Sequence, residues 1–226
     1  MEKKFELVKE DSITIDGFKL FRIRALKDFY VINKGELGGY VESEDCLSHN
    51  GDCWISGNAK VYNASKVIEN AQIEDNAVLT DGSMASGSAL IKDNAVVKHF
   101  STVKDVTTVS GNAVIDNSTV SFNAKVTDDA SVHHHTLIKG YSRISGKAKI
   151  YDAVTDGLTI ISGESFIGAK HVFLHNVEIV DDAKIMTSGF YSDIRIGFDV
   201  KEFNDLAIYT DPTHHIGKVV TSKSSN

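Results

Sequence analysis

Proline is all but missing. The 226-residue chain holds one, Pro212, near its end, so nothing upstream of it interrupts a backbone that pairs its N–H groups on both sides. Cysteine is almost as scarce. Cys46 and Cys53 flank His49, but a fourth ligand and the usual short cysteine spacing are lacking, so both are expected to be small buried residues and no metal is assigned. Positive charge is not in excess either. A formal net charge of −7 argues against general nucleic-acid binding, which needs a basic stripe. Lysines and carboxylates are interspersed along the chain, which favours an ordinary acidic surface over a mimic of nucleic-acid charge. The start, Met1-Glu2-Lys3-Lys4-Phe5-Glu6, has no apolar signal core, and no run is long enough to cross a membrane. The expected compartment is the cytoplasm. No P-loop, dinucleotide glycine motif or Ser-His-Asp arrangement is found, and no cofactor is assigned.

What the chain has is a period. From Ile55 to Ile150 a branched aliphatic returns every six residues: Ile55, Val61, Val67, Ile73, Leu79, Ile91, Val97 and so on. Ala85 alone replaces the large residue, and the step from Ile115 to Val120 alone is short, at five. Two positions before each aliphatic stands Ala, Ser or Thr; Cys53 takes that place before Ile55. Residues two apart share a strand face, so each pair points inward. Two positions after each aliphatic the chain reads Gly57, Asn63, Glu69, Asp75, Asp81, Gly87, Asp93, His99, Asp105, Gly111 and Asn117. Nearly all are types that tolerate positive φ, as a sharp corner requires. Three corners per turn give a triangular prism of about 18 residues per coil, a stacked parallel β-helix.

On these hexads, roughly over residues 40–187, the chain resembles the hexapeptide-repeat, left-handed β-helix proteins; the left hand is implied by the resemblance. The segments Leu20-Phe21-Arg22-Ile23-Arg24-Ala25-Leu26 and Gly35-Glu36-Leu37-Gly38-Gly39-Tyr40-Val41-Glu42-Ser43 look like the head of uncharacterised phage and prophage members of that group. Some bacterial relatives of these carry a transferase label.

The ends depart from the period. Asp16-Gly17 between Ile13-Thr14-Ile15 and Phe18-Lys19-Leu20-Phe21 is a two-residue hairpin signal. This hairpin and the turn from Gly35 to Gly39 are expected to cap the first coil, since an open end exposes unpaired strand edges. Beyond Ile150 the register falters at Ala153 to Gly157, then resumes as Ile161, Ile167, Phe173, Ile179 and Ile185, with Ser165, His171, Val177 and Ala183 in the small position. His171 and Val177 are large for a corner, so the last coil is expected to widen. From Ser188 the period ends. Asp199 with Glu202 resembles a helix start, and Phe203, Leu206 and Ala207 would be its apolar face. The expected organisation is an N-terminal β cap over 1–40, a β-helix over 41–187 and a small C-terminal cap and tail over 188–226.

Outward residues precede each aliphatic, and every third hexad lies on one face. One face reads Lys60, Val78, Val96, Val114, Ser131, Lys149, with Tyr62 and Tyr151 beside it. Its valine ladder is the expected subunit contact of a homo-oligomer, trimer or dimer. A second face reads Lys66, Met84, Thr102, Thr119, Leu137, and the third Trp54, Gln72, Leu90, Thr108, Lys125, Arg143. Arg22, Arg24, Lys27, His99, His134 and His135 are candidate contacts to a ligand or partner. His99 and the His134–His135 corner stand two coils, about 9.6 Å, apart, too far for one metal ion to bridge within a chain.

The resemblance also admits an acyl- or other group transferase with a histidine base near a subunit interface, for which His133, His171 and His175 are candidates. No insertion interrupts Ile55 to Ile150 to clamp a pantetheine arm. The favoured expectation is a non-catalytic phage or prophage binding protein that inhibits or sequesters a host component, either a defence protein or a nucleotide signal.

Overall fold

A computed structural model describes residues 2–186, 188–193, 195–197 and the strand Glu202–Phe203. It is a β-solenoid of three parallel sheets. Each coil contributes one short strand to each sheet, in the order III, I, II. Sheet I begins with β1 (Phe5–Ile15), β2 (Phe18–Ala25) and β3 (Leu37–Val41), then adds Lys60–Val61, Val78–Leu79, Val96–Lys98 and their successors. Sheet II runs from Lys66–Val67 to Gly189–Ser192, and sheet III from Trp54–Ile55 to Arg195–Ile196. A coil spans 18 residues where Val78 pairs with Val96 and 17 where Val114 pairs with Ser131. Among the described residues there is no α-helix, only a 3-10 turn at Glu44–Cys46.

The hexad does what its composition requires. Inward aliphatics from Ile55 to Ile150 are fully or almost fully buried, as are the small residues two positions before them. Each such Val or Ile contributes roughly 1.5–3 kcal/mol of apolar burial. Serine and threonine are tolerated at the small position because the hydroxyl donates to a carbonyl three residues back. Examples are Ser101 to Lys98 O at 2.5 Å, Thr107 to Lys104 O at 2.6 Å and Ser142 to Lys139 O at 2.6 Å. All eleven corner residues named above, from Gly57 to Asn117, have positive φ. Corner carboxylates do more than tolerate the turn: Asp93 Oδ2 accepts from Gly111 N at 2.9 Å, and Asp128 Oδ2 from Gly146 N at 2.9 Å. A corner aspartate thereby ties its coil to the next.

The N-terminal hairpin turns at Asp16-Gly17, both in positive φ, with Ile15 paired to Phe18. β3 then pairs antiparallel with β2 and parallel with the first coil strand of sheet I, so cap and solenoid share it. Phe5, Ile23 and Ile32 close the apolar core at this end, and Phe29 meets Trp54 edge-on at 5.3 Å.

Beyond Ile150 the structure corrects the expected register. The faltering segment is itself a strand, Ala153–Asp156, which pairs with Val172–His175. Val172 and Leu174 face inward there, while Phe173 is exposed. His171 is an exposed corner residue in positive φ, not an inward one. The alternation of the longer strand overrides the six-residue count. Coil pairing also runs past residue 187: Gly189–Ser192 pairs with Val172–His175, with Tyr191 buried, and Arg195–Ile196 pairs with Glu178–Ile179. Glu202 and Phe203 form a strand beside Lys184–Ile185 instead of opening a helix. The rest of the expected helix, including Leu206 and Ala207, lies outside the described residues.

Candidate functional site

The edge between sheets I and II gathers most of the histidines among the described residues. Its corners normally hold two residues: His99 and Phe100 on one coil, His134 and His135 two coils on. The coil between them has a five-residue step, and Asn117 turns its corner alone, as Asp152 does on the coil after His135. The missing residue leaves a notch of about 270 Å³, lined by Phe100, Asn117, Ser118, Thr119, His135, Thr136 and Leu137. Asn117 still closes the backbone, accepting from His135 N at 2.7 Å and donating its own N–H to Lys98 O at 3.2 Å.

Phe100 is held in an uncommon state. It has φ 59 and is 79% exposed, a bulky residue in the left-handed region with little burial to offset the strain. A Cβ at Gly82 would meet its ring at 2.7 Å, so the glycine on the preceding coil is what lets the ring lie down. Across the notch, His135 Nε2 lies 3.4 Å from Asn117 Nδ2.

On the sheet I side of the same edge, Asp116 organises the charges. Its Oδ1 is 2.7 Å from His99 Nδ1, and its Oδ2 is 3.6 Å from both His133 Nδ1 and Lys98 Nζ. His99 Nε2 reaches Asp81 at 3.5 Å. Burial alone raises the Asp116 carboxyl, but the His99 hydrogen bond and the charges of Lys98, His99 and His133 outweigh it and hold the group below its ordinary value. Burial lowers His133 despite Asp116, so it favours the neutral imidazole. Its ring stacks on Tyr151 at 4.9 Å. Asp116 is the residue that the hexad pattern did not single out; its position directly after an inward Ile115, on the coil with the short step, was the available signal. Among the described residues no group of three His, Cys, Asp or Glu side chains is placed to hold a metal ion.

The other candidates are distributed over the molecule. His175 lies far along sheet II, in a cleft of about 330 Å³ with Lys139, Val154, Asp156, Phe173, Leu174 and Phe190. Lys139 and Asp156 form an ion pair at 3.1 Å there. His171 stands apart from both sites. Arg22 is spent as a strut: it donates to Asp11 at 2.7 Å, Gly38 O at 2.8 Å and Tyr40 OH at 2.6 Å, with its guanidinium 4.3 Å above the Tyr40 ring. Arg24 pairs with Glu6 at 2.9 Å and Lys27 with Glu2 at 3.4 Å. These three candidates are engaged within the cap. His49 stacks on Phe5 at 4.5 Å, while Cys53 Sγ lies 3.3 Å from the buried Lys4 Nζ. Both cysteines are free and buried.

The valine ladder is in the expected register, Val78 beside Val96 beside Val114. Its near end is covered by the chain itself. Tyr62 points out of the prism but is only 5% exposed, since Phe18 of the hairpin packs on it at 5.5 Å and its hydroxyl donates to Asp16 at 3.0 Å. Val78 packs against the same hairpin cluster. Tyr151 is taken up by His133, His134 and Phe166.

Sheet II presents a different surface. Its outward column from Met84 runs Thr102, Thr119, Leu137, Val154, Phe173 and Phe190, seven rungs without a charge. Both cavities described above open on it. Val106, Phe122, Tyr141 and Leu158, all more than half exposed, follow its edge with sheet III on successive coils. Phe122, like Phe100, has positive φ. No protein-family model matches the chain, and no curated protein matches it significantly in sequence.

Proposed function

We propose that this chain is a phage or prophage protein that works by binding: it sequesters a host component, a defence protein or a nucleotide signal, on the outside of a rigid β-helix in the host cytoplasm. The observation that carries this reading is the uncharged outward column of sheet II, flanked by exposed Phe100 and Phe122. A charge-free column of half-buried rungs that ends in exposed Phe173 and Phe190, on a protein of net charge −7, supports reading this side as an interaction face. The stacked coils hold these side chains on fixed rungs, which reduces the ordering cost of binding. Among the described residues no helix is long and apolar enough to cross a membrane.

The test is affinity capture from host lysate, with proteins and small molecules both identified by mass spectrometry. A Leu137→Glu/Phe173→Glu variant places two charges on the column while leaving the core intact. A species retained by the wild type and lost by this variant supports the reading; identical capture by both overturns it. Self-association is proposed on sheet I, where Val96 and Val114 remain open beyond the hairpin.

A second reading has one observation in its favour. His133 with Nδ1 toward Asp116 is an imidazole with a carboxylate behind it, the arrangement of a general base in group transfer. Stabilisation by acetyl-CoA, together with acyl transfer abolished by His133→Asn, would replace the binding reading with this one.

A further inference from the structure

We infer that the notch at Asn117 is a binding site for a flat heteroaromatic ring, inserted edge-on into the gap that the short corner leaves between Phe100 and His135. The inference rests on the binding reading above and adds the class of ligand.

The argument begins with the spacing. Adjacent rungs are about 4.8 Å apart, so Phe100 and His135 stand on rungs about 9.6 Å apart with only Asn117 between them. Aromatic pairs prefer centroid separations of 4.5–7 Å. A ring placed midway lies about 4.8 Å from each of the two rungs, and the Phe100 ring, which leans away onto Gly82, leaves the notch open for it to enter and stack. A saturated chain would fill the same volume but gain no stacking from either wall.

The walls are also unusual for their position. Phe100 carries a cost in backbone strain and in exposed apolar surface that nothing else in its coil offsets. A stacked ligand recovers both surface and contact. The notch floor is polar: Asn117 offers an amide and Thr119 a hydroxyl. Apolar walls with donors and acceptors at the base suit a ring that carries hydrogen-bonding groups on its edge, as a nucleobase does, better than a plain hydrocarbon ring. Lys98, His99 and His133 lie across the edge but are shared with Asp116, so the ring, not an attached phosphate, is assigned as the recognised group.

The probes are adenosine, AMP, UMP and ribose 5-phosphate, titrated calorimetrically into the full-length protein. Binding of adenosine or AMP with no heat from ribose 5-phosphate is expected. Phe100→Ala should weaken it at least tenfold, the range of a lost base–aromatic stack. Phe122→Ala, at a second exposed positive-φ phenylalanine on the opposite edge of sheet II, should leave it unchanged. Inserting one glycine after Asn117 restores the six-residue step and fills the notch. That variant should keep the β spectrum and thermal transition of the wild type and bind no ring. Equal binding by the wild type and the insertion variant, or binding of ribose 5-phosphate as strong as that of AMP, overturns the site. If the wild type binds no ring at millimolar concentration yet still captures a host protein through sheet II, the notch inference fails while the binding reading stands.

Discussion

Sheets I and II are built from the same hexad, yet they meet the surroundings differently. On sheet I the outward column passes from Lys60 through three valines to Ser131 and Lys149, and the hairpin of the same chain covers its first part. On sheet II the column carries no charge from Met84 to Phe190 and ends in exposed phenylalanines, 45% at Phe173 and 58% at Phe190. Periodicity assigns the direction of a side chain. Whether that direction leads to water is decided by what the ends of the chain do. The lesson is that an apolar outward column becomes a candidate interface only after the cap has been placed.

The most damaging change to both faces is one that leaves neither exposed surface altered. Val97 is fully buried behind Val96, so Val97→Asp places an unpaired charge in a dry interior. The expected loss exceeds about 4 kcal/mol and the protein should not fold; a soluble variant with cooperative melting would show that the inward register is wrong. Next in size is the subunit contact on sheet I. Val96→Arg sets a charge at the centre of the proposed contact, at a cost of several kcal/mol if it is desolvated. Light scattering should give a folded monomer in place of a wild-type oligomer, and an unchanged mass would remove sheet I from consideration.

The hairpin that separates the two faces can itself be loosened. Arg22→Ala removes the bonds to Asp11, Gly38 and Tyr40, worth roughly 1.5–3 kcal/mol for a charged donor. Its thermal transition should fall, and Tyr62 should become reactive to surface labelling while Val97 amide exchange stays slow. The smallest effect concerns acid. Both His133 and Asp116 titrate below their ordinary values in the fold, so each contributes stability that is present at neutral pH and lost as pH falls. The histidine contribution erodes first, from about pH 6.5 downward; the carboxylate contribution goes only below about pH 4. His133→Asn should flatten the upper part of this decline, measured by denaturant midpoints across pH 7 to 5, and an unaltered slope would mean that burial of the imidazole is not what lowers it.

Much of the fold was legible because its constraints are local and repeated. Every coil needs a small residue beside each aliphatic, and every corner needs a residue content with positive φ, so Ala59 or Asp75 declares its place without reference to distant sequence. The register failed where strands lengthen from two residues to four: at Val172–His175 alternation governs, and Phe173 turns outward although its number fits the hexad. Coil pairing outlasts the six-residue count for a related reason, because Tyr191 and Ile196 are inward residues reached by strand pairing and not by an unbroken six-residue step. Of the site, the His99 to His135 corner and the short step at Asn117 were both visible. The notch was not, because it arises from a residue that is missing on one coil and two that are present on its neighbours. Asp116 escaped for lack of any motif around it; its partners come from adjacent coils, 17 residues away in the case of His99.

The comparison is tested most directly by footprinting the full-length protein with a diffusible carbene label, alone and with the host component it captures. Binding through sheet II predicts protection at Leu137, Phe173 and Phe190 while Val96 and Val114 keep the labelling they show in its absence. Protection confined to Val96 and Val114, with the phenylalanines of sheet II still labelled, would contradict it.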